Sequence, residues 1–127
     1  MREWIHVNDH CEALVKIAMK GKVGENYNIG SGIKMQNIEI MKKIISIFKE
    51  MNINQKNNIN FLFAKDRPGH DFRYSLDSSK LKKKLKWKCK IDLTKGLKET
   101  IFWYIDKFNK NNFFKNNNFK NRIGLNI

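Results

Sequence analysis

The stretch Ala64-Lys65-Asp66-Arg67-Pro68-Gly69-His70-Asp71 gathers residue types suited to gripping an anion, and Phe72-Arg73-Tyr74 follows it directly. Pro68, the one proline of the chain, fixes φ and lacks an amide hydrogen, while Gly69 tolerates positive φ. Arg67-Pro68-Gly69-His70 is therefore expected to form a rigid turn that aims its side chains. Arg67 would present a planar fork of donors matched to a phosphate, and His70 a donor or an acceptor according to its protonation. The same residues would serve equally as a surface turn with a solvated arginine, and turn chemistry alone does not separate the two.

The elements that must carry this turn are short and alternate in type. Arg2 to Val7 alternates polar and apolar residues, which predicts a strand, with Asn8-Asp9 as the cap of the helix that follows. In that helix Ala13, Leu14, Ile17 and Ala18 recur at helical spacing, and Gly21 ends it. Glu25 to Ile29 reads as a second strand leaving through Gly30-Ser31-Gly32, and Asn37 as the cap of a helix with Ile38, Met41, Ile44, Ile45 and Phe48 on one face. Ile59 to Ala64 predicts a buried strand leading into the Pro-Gly turn, and Phe72 to Leu76 an extended segment. Asp77 or Ser78 then caps a short helix through Leu81 and Leu85, with Trp87 closing it against the core. Asp92 or Thr94 opens a last helix carrying Leu97, Ile101, Tyr104 and Ile105. Residues 1–108 form the folded unit in this reading, and the Asn/Lys-rich stretch 109–127, which has no period, is expected to be disordered. Strands alternating with helices predict an α/β fold, and a chain that opens inside an element reads as one part of a larger one.

Composition narrows the function classes. The 127 residues suffice for one domain, and 41% hydrophobic content with 12% aromatic supports a modest core. No apolar run is long enough for a bilayer and Met1-Arg2-Glu3-Trp4 lacks the plan of a signal peptide, so the expectation is a soluble cytoplasmic protein without a membrane partner. Cys11 and Cys89 are single, which supports neither a zinc site nor a disulfide framework. The net charge of +14 raises nucleic-acid binding. Its lysines, however, are scattered among asparagine and isoleucine rather than set in a reading motif, which leaves nonspecific polyanion binding at low salt. His6 and His10 stand at metal spacing, but Val7 occupies the place where a zinc-protease helix needs glutamate. Gly30-Ser31-Gly32 has Met35 in its third glycine position and is no dinucleotide fingerprint, and Trp87, Trp103 and Tyr104 read as core packing.

Taken in order, Arg2-Glu3-Trp4-Ile5-His6-Val7-Asn8-Asp9-His10-Cys11-Glu12-Ala13-Leu14, Gly24-Glu25-Asn26-Tyr27-Asn28-Ile29-Gly30, Asn37-Ile38-Glu39, Asp66-Arg67-Pro68-Gly69-His70-Asp71-Phe72-Arg73-Tyr74 and Leu85-Lys86-Trp87-Lys88 resemble the C-terminal part of the dTDP-glucose 4,6-dehydratases. These are nucleotide-sugar enzymes of the extended short-chain dehydrogenase/reductase superfamily. The first two blocks occur widely in the superfamily, UDP-glucose 4-epimerases included; the Asp-Arg-Pro-Gly-His-Asp block with its Arg-Tyr is much narrower. The resemblance implies the substrate-binding lobe of a Rossmann-type enzyme, and it assigns Arg2, Asn37, Asp66, Arg67, Pro68, Gly69 and His70 to the nucleotide-diphosphate part of a dTDP-sugar. A diphosphate wants guanidinium forks, an amide donor and a helix N-terminus, which agrees with those residue types. Arg2 as a frayed end, Asn37 as a plain cap and Arg67 as a surface charge are the bland alternatives.

In the resembled family bound NAD takes a hydride from C4 of glucose, water leaves across C5 and C6, and the hydride returns to C6. That chemistry needs a glycine-rich cofactor loop and a Tyr-x-x-x-Lys pair. Here Tyr27, Tyr74 and Tyr104 are followed four residues later by Ser31, Ser78 and Phe108. The resemblance therefore implies that NAD and the catalytic groups belong to an N-terminal half preceding Met1. The chain alone is then expected to bind no cofactor and to lack activity, and to be open to complementation by a separately encoded half. A fragment of a related UDP- or GDP-sugar epimerase or dehydratase, a basic nucleic-acid-binding module and a relic without function are the competing readings.

Overall fold

The computed structural model describes residues 1–52, 61–63, 68, 69 and 71–110, with side chains as far as residue 107. In chain order these form β1 (Arg2–Glu3), α1 (Val7–Lys20), β2 (Lys34–Met35), α2 (Asn37–Glu50), α3 (Ser79–Leu85) and α4 (Leu93–Lys110). The arrangement is α/β, with helices dominating and one antiparallel ladder that sets Arg2 against Met35 and Glu3 against Lys34. No helix among the described residues is long and apolar enough to cross a membrane.

The helices begin and end for local reasons, though not always at the expected residue. α1 starts at Val7, so the strand expected over Arg2 to Val7 shrinks to two residues and the cap moves from Asn8-Asp9 to His6. The Nδ1 of His6 accepts the Asn8 amide at 3.3 Å, which releases Asp9 from capping. α2 is capped by Gln36 rather than Asn37: the Glu39 carboxylate reaches back to the Gln36 amide at 2.6 Å, and Asn37 becomes the first helical residue. Ser78 precedes α3 as anticipated, and the carboxylate of Asp77 accepts the Ser79 amide. Asp92 opens α4 by accepting the amides of Thr94 and Lys95. α4 runs on to Lys110, two residues into the tail expected to be disordered; 111–127 lie outside the described residues.

The core is centred on Ala13 of α1, Leu81 of α3 and Trp87, with Ile5, Ile17, Tyr27, Ile29, Leu85 and Cys89 packed around them. Tyr27 and Ile29 therefore contribute side chains, yet the expected strand over Glu25 to Ile29 joins no ladder; β2 forms instead at Lys34–Met35. A strand exists only by pairing, and no described strand lies beside this segment to receive its amides. The strand expected at Ile59 to Ala64 falls partly outside the described residues. Its described part, 61–63, is exposed and joins no ladder, with Leu62 and Phe63 at 94% and 89% exposure. α2 and α4 form a second contact, with Ile40, Ile47 and Ile101 buried and Lys98 paired to Glu50 at 2.7 Å.

Candidate functional site

Arg2 sits in β1 and is half-buried. Its Nη1 donates to the Asp71 carbonyl at 2.8 Å and to the Met1 carbonyl at 3.0 Å. Asp71 comes two residues after Gly69, so one guanidinium ties β1 to the chain leaving the Pro68–Gly69 turn. That turn is present, and Gly69 has φ +71°, a backbone state that favours glycine. Asn37, exposed in the first turn of α2, lies two residues beyond Met35, the ladder partner of Arg2. Thus Arg2 lies on the β1–β2 ladder, Asn37 follows that ladder by two residues, and the chain just beyond the Pro-Gly turn is bonded to Arg2. The expectations for Asp66, Arg67 and His70 fall outside the described residues.

Glu3, which reading the sequence for candidate ligands passed over, is the hub of this region. One carboxylate oxygen accepts the Gly32 amide at 2.6 Å and the other the Leu76 amide at 2.7 Å. A Cβ on Gly30 would stand 2.6 Å from Glu3 Oε1 and 3.3 Å from the Leu76 carbonyl oxygen, so the turn approaches closely because it carries no side chain there. Ser78 Oγ donates to the Gly30 carbonyl at 2.9 Å, and Ser31 Oγ to the Trp4 carbonyl at 2.6 Å. The one signal in the sequence was an acidic residue in a short strand. Its partners lie 29 and 73 residues away, beyond the reach of any local pattern.

Burial pushes the Glu3 carboxyl up, but the amides of Leu76 and Gly32, the Ser75 hydroxyl and the charge of Lys34 together hold it below its ordinary value of 4.5. Glu25, held low by the Lys80 ammonium, and Asp77, held low by the Ser79 amide and hydroxyl, are displaced the same way. A carboxyl depressed by folding stabilises the fold above its unfolded pKa, and that contribution is lost as pH falls through the folded value. The chain is thus expected to lose stability progressively below pH 4.5, and Glu3→Gln to flatten that acid limb when urea midpoints are compared across pH.

A separate cleft of about 650 Å³ opens between the Trp4–Asp9 segment and α4, and neither Arg2 nor Asn37 lines it. His6 Nε2 lies 3.9 Å from Glu99 there, and the ring edge of His6 rests where a Cβ on Gly96 would intrude, at 2.9 Å. Trp103 and Tyr104, expected in the core, instead face this cleft, each 52% exposed, their rings edge-on with centroids 5.0 Å apart. α4 turns its Ile101 face inward against α2, which leaves the neighbouring aromatic positions outside.

Comparison with known proteins decides the lineage. A family profile described as GDP-mannose 4,6 dehydratase matches residues 1–100. The chain belongs to this family. A dTDP-glucose 4,6-dehydratase of Haemophilus influenzae is 41% identical over 117 residues, covering 88% of this chain and 34% of the relative. One from Escherichia coli is 39% identical over 111 residues, covering 84% and 31%. Among solved structures, the dTDP-glucose 4,6-dehydratase of Bacillus anthracis in complex with NAD superposes with a TM-score of 0.68 at 36% identity, covering 82% of this chain and 31% of that one. The enzyme of Streptomyces venezuelae, with NAD and thymidine diphosphate bound, gives a TM-score of 0.69 at 30% identity, covering 84% and 31%. The chain spans about a third of the length of these relatives.

NAD is the cofactor of the solved family members, and the glycine turn of this chain does not fit its pyrophosphate. The Gly32 amide, which a phosphate would need, is held at 2.6 Å by the Glu3 carboxylate, and the close approach that Gly30 permits is occupied by the same group. An anion brought there would meet a like charge rather than free donors.

Proposed function

We propose that this chain is the C-terminal, substrate-binding part of a dTDP-glucose 4,6-dehydratase, and that it holds the nucleotide diphosphate of a dTDP-sugar. The observation that carries the reading is the Arg2–Asp71 bond, which ties the chain leaving the Pro-Gly turn to β1, whose ladder partner β2 leads into α2. Arg2, Asn37, Asp66, Arg67, Pro68, Gly69 and His70 supply the contacts in this reading: two guanidinium groups, an amide, a histidine and a glycine backbone suit a doubly charged diphosphate. The similar Streptomyces enzyme, solved with thymidine diphosphate, supports the ligand class. NAD and the groups that move hydride and proton belong to the remainder of the enzyme, so this part by itself forms no 4-keto sugar.

The test is a titration of the whole chain with dTDP-glucose, alongside Arg67→Ala. Loss of a charge-assisted contact is expected to weaken binding roughly 10- to 100-fold while affinity for duplex DNA stays level. The excess of lysine, with Lys82, Lys83, Lys84, Lys86 and Lys88 exposed, favours a second reading as a polyanion binder. It requires the reverse: DNA affinity that falls steeply with salt, and no effect of Arg67→Ala on either ligand.

A further inference from the structure

A carboxylate beside a diphosphate site calls for explanation, because its charge opposes the ligand. Glu3 follows Arg2 directly and spans the Gly32 and Leu76 amides with its two oxygens, with the Ser75 hydroxyl bonded beside them. The segment it grips begins at Asp71, whose carbonyl receives the Arg2 guanidinium, and continues through Tyr74, whose amide donates to the Met1 carbonyl at 3.1 Å. On the far side Gly30 leaves the carboxylate just enough room, and the buried Ser78 hydroxyl fastens the Gly30 carbonyl. Three stretches that no regular ladder joins, β1, the turn at 30–32 and the segment 71–76, therefore meet on one side chain.

We propose that Glu3 is a positioning residue for diphosphate binding: by accepting the Gly32 and Leu76 amides together it locks segment 71–76 onto β1, and so sets where Arg2 and the Pro68–Gly69 turn stand. This rests on the diphosphate reading above. The Ser75 hydroxyl and the Lys34 ammonium, across the ladder from Glu3, also face the carboxylate; they favour its ionised form and temper its repulsion of a phosphate.

The two roles open to Glu3 differ in sign. If it acted only through its charge, Glu3→Gln would tighten thymidine diphosphate binding by removing a negative group. As a positioning residue it must do the opposite, since an amide offers one acceptor oxygen where two amides need one each. In the whole chain, Glu3→Gln is expected to weaken thymidine diphosphate about tenfold, to leave the weaker binding of thymidine unchanged, and to speed amide exchange at Gly32 and Leu76 but not at Ala13 in α1. Equal or tighter diphosphate binding by folded Glu3→Gln overturns the proposal, as does a parallel loss of thymidine binding, which would mark general loosening. If Glu3→Gln does not fold, Ser75→Ala decides: a roughly two- to threefold weaker diphosphate is expected, and unchanged affinity overturns the idea. A wild-type chain that binds no thymidine diphosphate overturns the diphosphate reading and this role with it. Site-specific exchange at Gly32 and Leu76 would then still report whether Glu3 holds the two segments together.

Discussion

Replacing Trp87 by alanine should cost about 3–5 kcal/mol, enough to remove a large part of the ~5–15 kcal/mol that stabilises an ordinary domain. The indole is 2% exposed and packs with Leu81 and Ala13, both fully buried, so its removal leaves a cavity where α1 and α3 meet rather than a dent in the surface. Trp87→Phe separates packing from polarity. Among the described residues Trp87 Nε1 is buried without a hydrogen-bond partner, so phenylalanine loses some volume but also sheds an unsatisfied donor. It should cost less than about 2 kcal/mol. Urea unfolding followed by far-ultraviolet circular dichroism measures both, and a Trp87→Ala midpoint close to that of the wild type would show that the core lies elsewhere.

Asp9→Ala is expected to be nearly as damaging, at about 2–4 kcal/mol. Asp9 is 2% exposed in the first turn of α1; its Oδ1 accepts the Lys90 amide at 3.1 Å and its Oδ2 the Ile91 amide at 3.0 Å. These bonds couple the start of α1 to the entrance of α4 across a separation of 81 and 82 residues. Alanine strips both acceptors and leaves two part-buried amides without their partner. Asparagine keeps the size but only one acceptor oxygen, and it should fall between the two. Amide exchange is the specific measurement: Lys90 and Ile91 should exchange faster in Asp9→Ala. Unchanged protection at both would mean the carboxylate is not what holds that crossing. The exposed pair of Lys90 with Glu12 close by, at 2.7 Å, adds little by comparison because both side chains remain wet.

Asp9 and Glu3 also mark where reading along the chain stops working. Both look like residues of local structure, a helix cap and a strand position, and both turn out to be carboxylates that bind distant backbone amides. The helices are a different case. Spaced apolar residues, Gly21 and the acidic or hydroxyl residues before α3 and α4 anticipated the four helices seen among the described residues, because a helix satisfies its own amides within four residues. The narrow Asp-Arg-Pro-Gly-His-Asp block pointed to the dTDP-glucose dehydratases, and relatives of that name match the chain.

What lay open in the chain itself was thus much of what depends on near neighbours, though not the caps of α1 and α2: the four helices of the described residues, a sharp turn at Pro68–Gly69, the burial of Trp87 and the lineage written in short motifs. Pairing was settled in three dimensions. Glu25 to Ile29 has the residues of a strand but finds no ladder, Lys34–Met35 pairs with β1 instead, and Trp103 and Tyr104 line a cleft because Ile101 takes the inward face of α4. The reason is physical: a helix closes its hydrogen bonds on itself, whereas a strand, a buried carboxylate or a ligand cradle is completed by donors and surfaces from remote chain, whose arrival no local spacing records.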